Sequence, residues 1–198
     1  MICEQDADSL KLLAHWNYFM ALEEDLMKVS RFIEFSKENF ETYSIELARL
    51  LMAATSEVDV VFKEICVSKK KKENMGIKDY RNFFRNAEPW DIPKKAFIKD
   101  SVLIPRYNLH CEPWENWGYG EEKVPNWWNA NNDIKHHRST EFHQANLFNV
   151  LNSVSALLTV NLFLIRSTNR DLISSGLIEK PKLFISEYDY VCGGGLNS

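Results

Sequence analysis

The chain has 198 residues, 45% of them hydrophobic and 13% aromatic, and 24 basic against 28 acidic residues give it a net charge of −4. That size supports one domain with a core of its own, and six Trp and twelve Phe beside only seven Gly and six Pro exclude disordered, collagen-like and low-complexity chains. So mild a charge does not choose a partner, and Cys3, Cys66, Cys111 and Cys192 are spaced too widely for a structural zinc site or a disulfide framework.

The N-terminal residues are acidic and carry no apolar run, so no signal peptide is expected. Residues 9–38 read as a helix, with Leu12, Trp16, Phe19, Leu26, Val29 and Ile33 at three-and-four spacing and Asp8 or Ser9 as its cap. Residues 40–68 read as a second helix, with Tyr43, Leu47, Leu50, Leu51, Ala54, Val58, Val61, Phe62 and Ile65 on one face. A short turn around Asn39 predicts that the two lie antiparallel.

The next stretch differs in kind. Lys69–Lys72 is a run of four lysines, residues 77–86 suit a short helix, and five prolines fall between Glu88 and Pro125. The extended runs Ala96–Ile98 and Val102–Ile104 predict a small hairpin. Residues 69–125 therefore read as an insertion on a helical scaffold. Residues 69–106 hold 11 basic and five acidic side chains, a local +6, which leaves −10 for the remainder. Such a segment is either a solvated loop or a basic rim for an anionic polymer.

Helical character returns at residues 127–137, and Ser139 or Thr140 is the predicted cap of a long helix reaching about Arg166. Leu147, Leu151, Val154, Leu158, Leu162 and Ile165 line one face of that helix, and Phe148, Val150, Leu157, Val160 and Leu164 cover most of the rest. A helix apolar all round belongs at the centre of a bundle or is buried again in an oligomer. Asn149, Asn152 and Asn161 within it argue against a membrane span. The tail, 170–198, suits a short helix or an edge strand and ends loosely in Cys-Gly-Gly-Gly. The whole reads as one all-α domain over 1–198, an up-and-down bundle of about four helices with a loop-rich or small β-hairpin insertion. A reducing cytoplasm is the expected compartment. No nucleotide-binding glycine loop, HExxH or GxSxG motif is present.

The chemistry concentrates in Lys135-His136-His137-Arg138-Ser139-Thr140-Glu141-Phe142-His143, which holds three of the five histidines. Imidazole, with an ordinary pKa of roughly 6.5, takes and returns a proton near neutrality. Arginine stays charged and grips phosphate with two parallel hydrogen bonds. Together they suffice for attack of an RNA 2′-hydroxyl on its neighbouring phosphate, and a new helix start after Arg138 would add backbone N–H donors. Along an unbroken helix Arg138 and His143 would sit roughly 140° apart, so a kink or helix start between them is needed for both to face one cleft. His136 and His137 either assist or act as helix C-terminal cations, and Lys135 is a phosphate contact or solvated. Glu57 is placed to orient Arg138 or Lys135, or is an ordinary boundary residue. Asn146, Asn149 and Asn152 form a polar stripe suited to a dimer seam or a cleft. Trp127 and Trp128 pack in the core or stack on bases. A zinc site from the three histidines is disfavoured, because adjacent histidines point apart on a helix.

Arg138-x4-His143 resembles the R-x(4–6)-H motif of the HEPN superfamily, and Pro125-Asn-Trp-Trp-Asn-Ala-Asn-Asn-Asp-Ile-Lys-His-His-Arg138 is similar to a stretch of bacterial HEPN-like proteins. The resemblance covers about 9–68 and 127–166. Ser139 follows the arginine where active members commonly carry Asn, Asp or His. The resemblance implies a helical bundle, often a homodimer. It implies a metal-independent endoribonuclease of toxin–antitoxin or phage-defence type, with Arg138 on the phosphate and His143 as general base. Lys135, His136 and His137 would bind phosphate or RNA, and Glu57 and Asn146 would support them. RNA and an antitoxin protein are then the expected partners, with no cofactor, no metal and no membrane. The other outcome within the family is a catalytically inactive helical dimer that binds a nucleotide or a protein.

Overall fold

The computed structural model describes residues 4–67, 75–86, 97, 99–115, 117, 123–169, 172, 176 and 178–186, the side chains of 4–8 and 67 excepted. These residues are mostly helical: α1 (Glu4–Val29), α2 (Ile45–Val67), α3 (Ile77–Arg85), α4 (Asn126–Glu141) and α5 (Leu147–Thr168). Three short strands accompany them, β1 (Val102–Ile104), β2 (Leu109–Cys111) and β3 (Ile185–Ser186). A helical bundle carrying a small hairpin insertion is what the sequence pattern predicts, and at that level the two agree.

Helices α1 and α2 are antiparallel. Arg49, early in α2, reaches Asp25, late in α1, at 2.6 Å, whereas His15, early in α1, meets Glu57 and Glu64 late in α2. Their connection is not the expected short turn at Asn39. Helix α1 stops at Val29, the Ser30 hydroxyl donates to the Met27 carbonyl at 2.8 Å, and residues 30–44 form a longer connector with one 3-10 turn at Lys37–Asn39. This path lays Phe35 against Tyr107 (ring centroids 5.0 Å apart) and Phe40 against Phe148 (5.4 Å). Burying two rings outweighs the few tenths of a kcal/mol per residue, roughly, by which helix propensity favours continuing α1. Helix α2 then starts on Ser44, whose hydroxyl accepts from the Leu47 N–H at 3.1 Å.

Helix α5 is the axis of the bundle. Leu147, and every residue from Asn149 to Ile165, is buried, with α1, α2 and α4 packed around them. It is long and apolar enough to cross a membrane, yet 94% of its most apolar window is buried inside the protein. Its polar side chains turn back on the helix. Ser153, Thr159 and Asn161 donate to the carbonyls of Val150, Ala156 and Leu157 at 2.9 Å each.

The cap of α5 is Asn146, and not Ser139 or Thr140. The N–H groups of its first turn are satisfied nearby, and the first helical bond follows at once. Leu147 and Phe148 donate to the carbonyls of Thr42 and Phe40 at 2.9 and 3.1 Å. Asn149 donates to the Asn146 side-chain oxygen at 3.0 Å, and Val150 to the Asn146 carbonyl at 3.1 Å. An isolated bridge between Tyr43 and Asn146 completes this clasp between the connector and α5.

The insertion is sewn to the bundle by aromatic rings. Phe62 of α2 stacks on Tyr80 of α3 at 4.8 Å, Phe84 stacks on Phe97 at 4.3 Å, and Trp114 lies 5.0 Å from Phe97 and from Trp117. Trp114 donates to the Thr159 hydroxyl at 2.9 Å, and Trp127 donates to the Pro113 carbonyl at 2.7 Å. Trp127 is thereby a core residue, and Trp128 packs partly buried against the same core.

The hairpin differs from expectation in its second strand. Val102–Ile104 is a strand, but it pairs with Leu109–Cys111, with Val102 opposite Cys111 and Ile104 opposite Leu109. Asn108 closes the turn at φ +51°, a left-handed conformation that asparagine tolerates well. Ala96, Ile98, the Lys69–Lys72 run and the glycine-rich end of the tail lie outside the described residues. Earlier in the tail, β3 pairs antiparallel with the free edge of β1.

Glu23 holds that tail segment. Its carboxylate, 1% exposed, accepts from the backbone N–H groups of Lys182 (3.0 Å), Leu183 (2.8 Å) and Phe184 (3.2 Å). Trp16 adds a bond to the Glu179 carbonyl at 2.9 Å. Two substitutions measure these devices by urea unfolding. Glu23→Ala leaves three backbone donors unpaired, two of them buried, and is expected to cost about 3 kcal/mol. Asn146→Ala removes one helix cap and is expected to cost about 1–2 kcal/mol.

Candidate functional site

The polar cluster occupies the C-terminal end of α4 and the break before α5. Helix α4 is interrupted at His137, whose backbone (φ −134°, ψ 38°) is not helical. The Thr140 hydroxyl donates to the His137 carbonyl at 3.2 Å, and a 3-10 turn, Phe142–Gln144, follows. The His137 kink lies just before Arg138, and between Arg138 and His143 the chain leaves the α-helix once, at Glu141 (φ −105°, ψ 12°) ahead of the 3-10 turn, so the break exists but the long helix expected to start there does not. The expected backbone phosphate donors fall away with it. The next helix begins at Leu147, and its first four N–H groups are already bonded.

Lys135, His136, His137 and Arg138 are all exposed, and the two adjacent imidazoles lie 6.4 Å apart. The Arg138 guanidinium rests over the Phe142 ring, 5.2 Å from its centroid, a cation–π contact that orients the cation without neutralising it. Among the described residues, no carboxylate pairs with Arg138 or Lys135. His143 is 54% exposed, with its Nε2 4.0 Å from Glu141 and 3.5 Å from the Gln144 side chain. Tyr43 meets Phe142 edge to face at 5.9 Å, so Arg138, Phe142 and Tyr43 form one continuous line of contacts at the surface.

Two expected supporting residues are engaged elsewhere. Glu57 does not approach Arg138 or Lys135. It lies on the face of α2 that meets α1, where it hydrogen-bonds His15 Nδ1 at 2.5 Å. Asn146 caps α5 and donates to Glu41 at 3.3 Å. Asn149 and Asn152 donate to the carbonyls of Gln144 and Phe148 at 2.9 and 3.0 Å, so the asparagine stripe is buried within one chain and lines neither a seam nor a cleft. Its spacing reflects local bonding to the backbone.

Three residues outside the predicted cluster matter. Glu23 falls four after Phe19 and three before Leu26, on the apolar face of α1, and a carboxylate in that position is a legible sign of a buried acceptor. Tyr43, expected on the apolar face of the second helix, instead precedes that helix and is 53% exposed, because the pairing of 40–43 with 146–148 holds it beside Phe142. His15 is clasped between Glu57 at Nδ1 and Glu64 at Nε2 (3.4 Å). Since the two carboxylates hold opposite ring nitrogens they cannot share an ion with the imidazole. Among the described residues no group of three or more His, Cys, Asp or Glu is arranged to hold a metal. A groove of about 260 Å³ along α1 is lined by Asn17, Met20, Met27, Glu23, Glu24 and Lys182, among others, but its acids are engaged. Glu23 holds the tail, and Glu24 pairs with Lys28.

The hydrogen bond from Glu57 raises the His15 pKa above its ordinary value, against the opposing effect of burial. A raised folded-state pKa stabilises the protein fully below the unfolded pKa of roughly 6.5, and the contribution disappears as pH rises through the folded value. Urea midpoints should therefore fall from near neutrality upward, and His15→Gln should flatten that decline.

No family model matches the chain, and no curated protein and no solved structure matches it.

Proposed function

We propose that the break between α4 and α5 is the cleavage surface of a HEPN-like, metal-independent endoribonuclease. One observation carries this reading. Arg138 is exposed, stacked on Phe142 and unpaired by any described carboxylate, five positions before an exposed His143 across the change from α-helix to 3-10 turn at Glu141–Phe142. A purely structural arginine tethering the junction would be buried or joined to its surroundings by polar bonds.

In the proposed reaction His143 takes the proton from an RNA 2′-hydroxyl, and the oxygen attacks the adjacent phosphorus. The bond from phosphorus to the 5′-oxygen breaks, and that oxygen leaves with a proton supplied by an imidazolium or by water. The products are a 2′,3′-cyclic phosphate and a free 5′-hydroxyl. Arg138 stabilises the charge that builds on the phosphoryl oxygens. Lys135, His136 and His137 add contacts to neighbouring phosphates, so the phosphate is held by side chains alone. A site this open on one chain is completed by a second copy, in which the two Arg138–His143 pairs face a shared strand. Exclusion of bulk water then strengthens each charge contact.

A second reading, a catalytically inactive helical dimer that binds a protein partner, draws on Phe32 and Ile45, which are 87% and 73% exposed. One assay separates the two. Purified protein is incubated with end-labelled RNA in EDTA, and the products are resolved for cyclic-phosphate ends. The nuclease reading expects cleavage that falls at least about 100-fold in Arg138→Ala and in His143→Ala, in line with the loss of an acid–base or charge-stabilising group. No cleavage, or equal cleavage by both variants, rejects it.

A further inference from the structure

We propose that Tyr43 is the base-stacking residue of this surface, and that the surface takes an unpaired RNA strand. The inference rests on the reading of Arg138 as a phosphate contact and adds the class of substrate.

Tyr43 is 53% exposed, yet its position is fixed from both sides along the chain. The carbonyls of Phe40 and Thr42 accept from Phe148 and Leu147, and Tyr43 itself bridges to Asn146. A large aromatic side chain on a backbone held this firmly loses little conformational freedom when a ligand stacks on it. The ring does not fold down onto the core. It stands at 86° to Phe142, whose ring also carries Arg138. The protein thus presents, in order, a cation, a buttressing ring and an exposed ring. Single-strand binders use the same two elements, a cation that tracks the phosphate backbone and an aromatic face that receives a base.

This arrangement also discriminates. In an A-form duplex both faces of every internal base are covered by neighbouring pairs, so a protein ring has no face to meet. A splayed strand offers its bases freely. Attack by a 2′-hydroxyl needs the same freedom, because the ribose must rotate to bring its oxygen in line with the departing 5′-oxygen. A base held on Tyr43 next to a phosphate held on Arg138 would fix one side of that geometry.

The test uses the full chain and a short fluorescein-labelled RNA with 2′-O-methyl groups throughout, which binds but has no 2′-hydroxyl to react. Binding is followed by fluorescence polarisation for the single strand and for the same strand annealed to its complement. Single-strand binding at least about tenfold tighter than duplex binding is expected. Tyr43→Phe should bind within about twofold of the parent, and Tyr43→Leu, which keeps apolar packing on Phe142, should bind about 5- to 100-fold more weakly. Thermal unfolding of each variant confirms that it is folded. Unchanged binding by a folded Tyr43→Leu, or duplex binding equal to single-strand binding, overturns the proposal. Failure of both RNA probes to bind also overturns it. The outcome is separable from the nuclease reading. RNA that is cleaved in EDTA regardless of residue 43 leaves the nuclease standing without the stacking residue. Tyr43-dependent binding without cleavage leaves the stacking residue on an inactive binder.

Discussion

A helix buried on every side dictates the rest of this molecule. Along α5 the residues from Asn149 to Ile165 are buried without a gap, and each apolar side chain among them needs a neighbour. At about 25 cal/mol per Å² of apolar surface removed from water, burying such a helix on every side contributes strongly to stability. It also forbids any face of its own from being left to solvent. Helices α1, α2 and α4 meet that demand along its length, and the insertion meets it near the C-terminal half through Trp114 and Phe84. Loss of any one of these partners would expose apolar surface on a helix that has no polar side to turn outward.

That demand explains features that look incidental one by one. The segment before α2 leaves the helical path because its rings and carbonyls are needed at the start of α5, where Phe40 packs on Phe148 and the carbonyls of Phe40 and Thr42 receive two orphan N–H groups. The tail returns across α1 because Glu23 offers a buried carboxylate to three consecutive backbone donors. Such an acceptor has to be fully bonded, since an ionised group in an apolar setting is costly when left alone. The tail strand in turn covers the edge of β1 that would otherwise remain open.

The same constraint places the chemistry outside the core. Once α5 begins at Asn146 with its donors satisfied, α4 has to end early and turn. The residues of that turn, Lys135 to His143, have no apolar face to bury. Among the described residues no carboxylate pairs with Lys135 or Arg138, and Arg138 rests on Phe142, which Tyr43 buttresses. A site so built has its side chains pre-positioned by packing beneath them, while the groups that would contact a phosphate remain in solvent.

Much of this is legible in the sequence. The three-and-four spacing of α1, α2 and α5 encodes three long helices, and the uniform apolarity of Leu147–Ile165 places the last of them at the centre, because hydrophobic periodicity and burial are local, additive properties of the chain. The grouping of Lys135, His136, His137, Arg138 and His143 is likewise plain, as is the need for a break among them. What the sequence could not supply were the pairings between distant segments. Whether a helix ends at Val29 or at residue 38 depends on the rings of Tyr107 and Phe148 and the N–H groups of Leu147 and Phe148, far along the chain. Glu57 turns to His15 rather than Arg138 because helix–helix rotation, and not spacing, decides which face meets which neighbour. Ser139 and Thr140 look like caps as good as Asn146, and only the antiparallel bridge to Tyr43 selects among them. The sequence by itself determined which residues are helical, which are core and which carry charge. The tertiary structure alone decided where each helix stops, which polar groups are consumed in holding the fold, and that Arg138, Phe142 and Tyr43 stand together, since those outcomes depend on contacts that exist only once the chain has closed on itself.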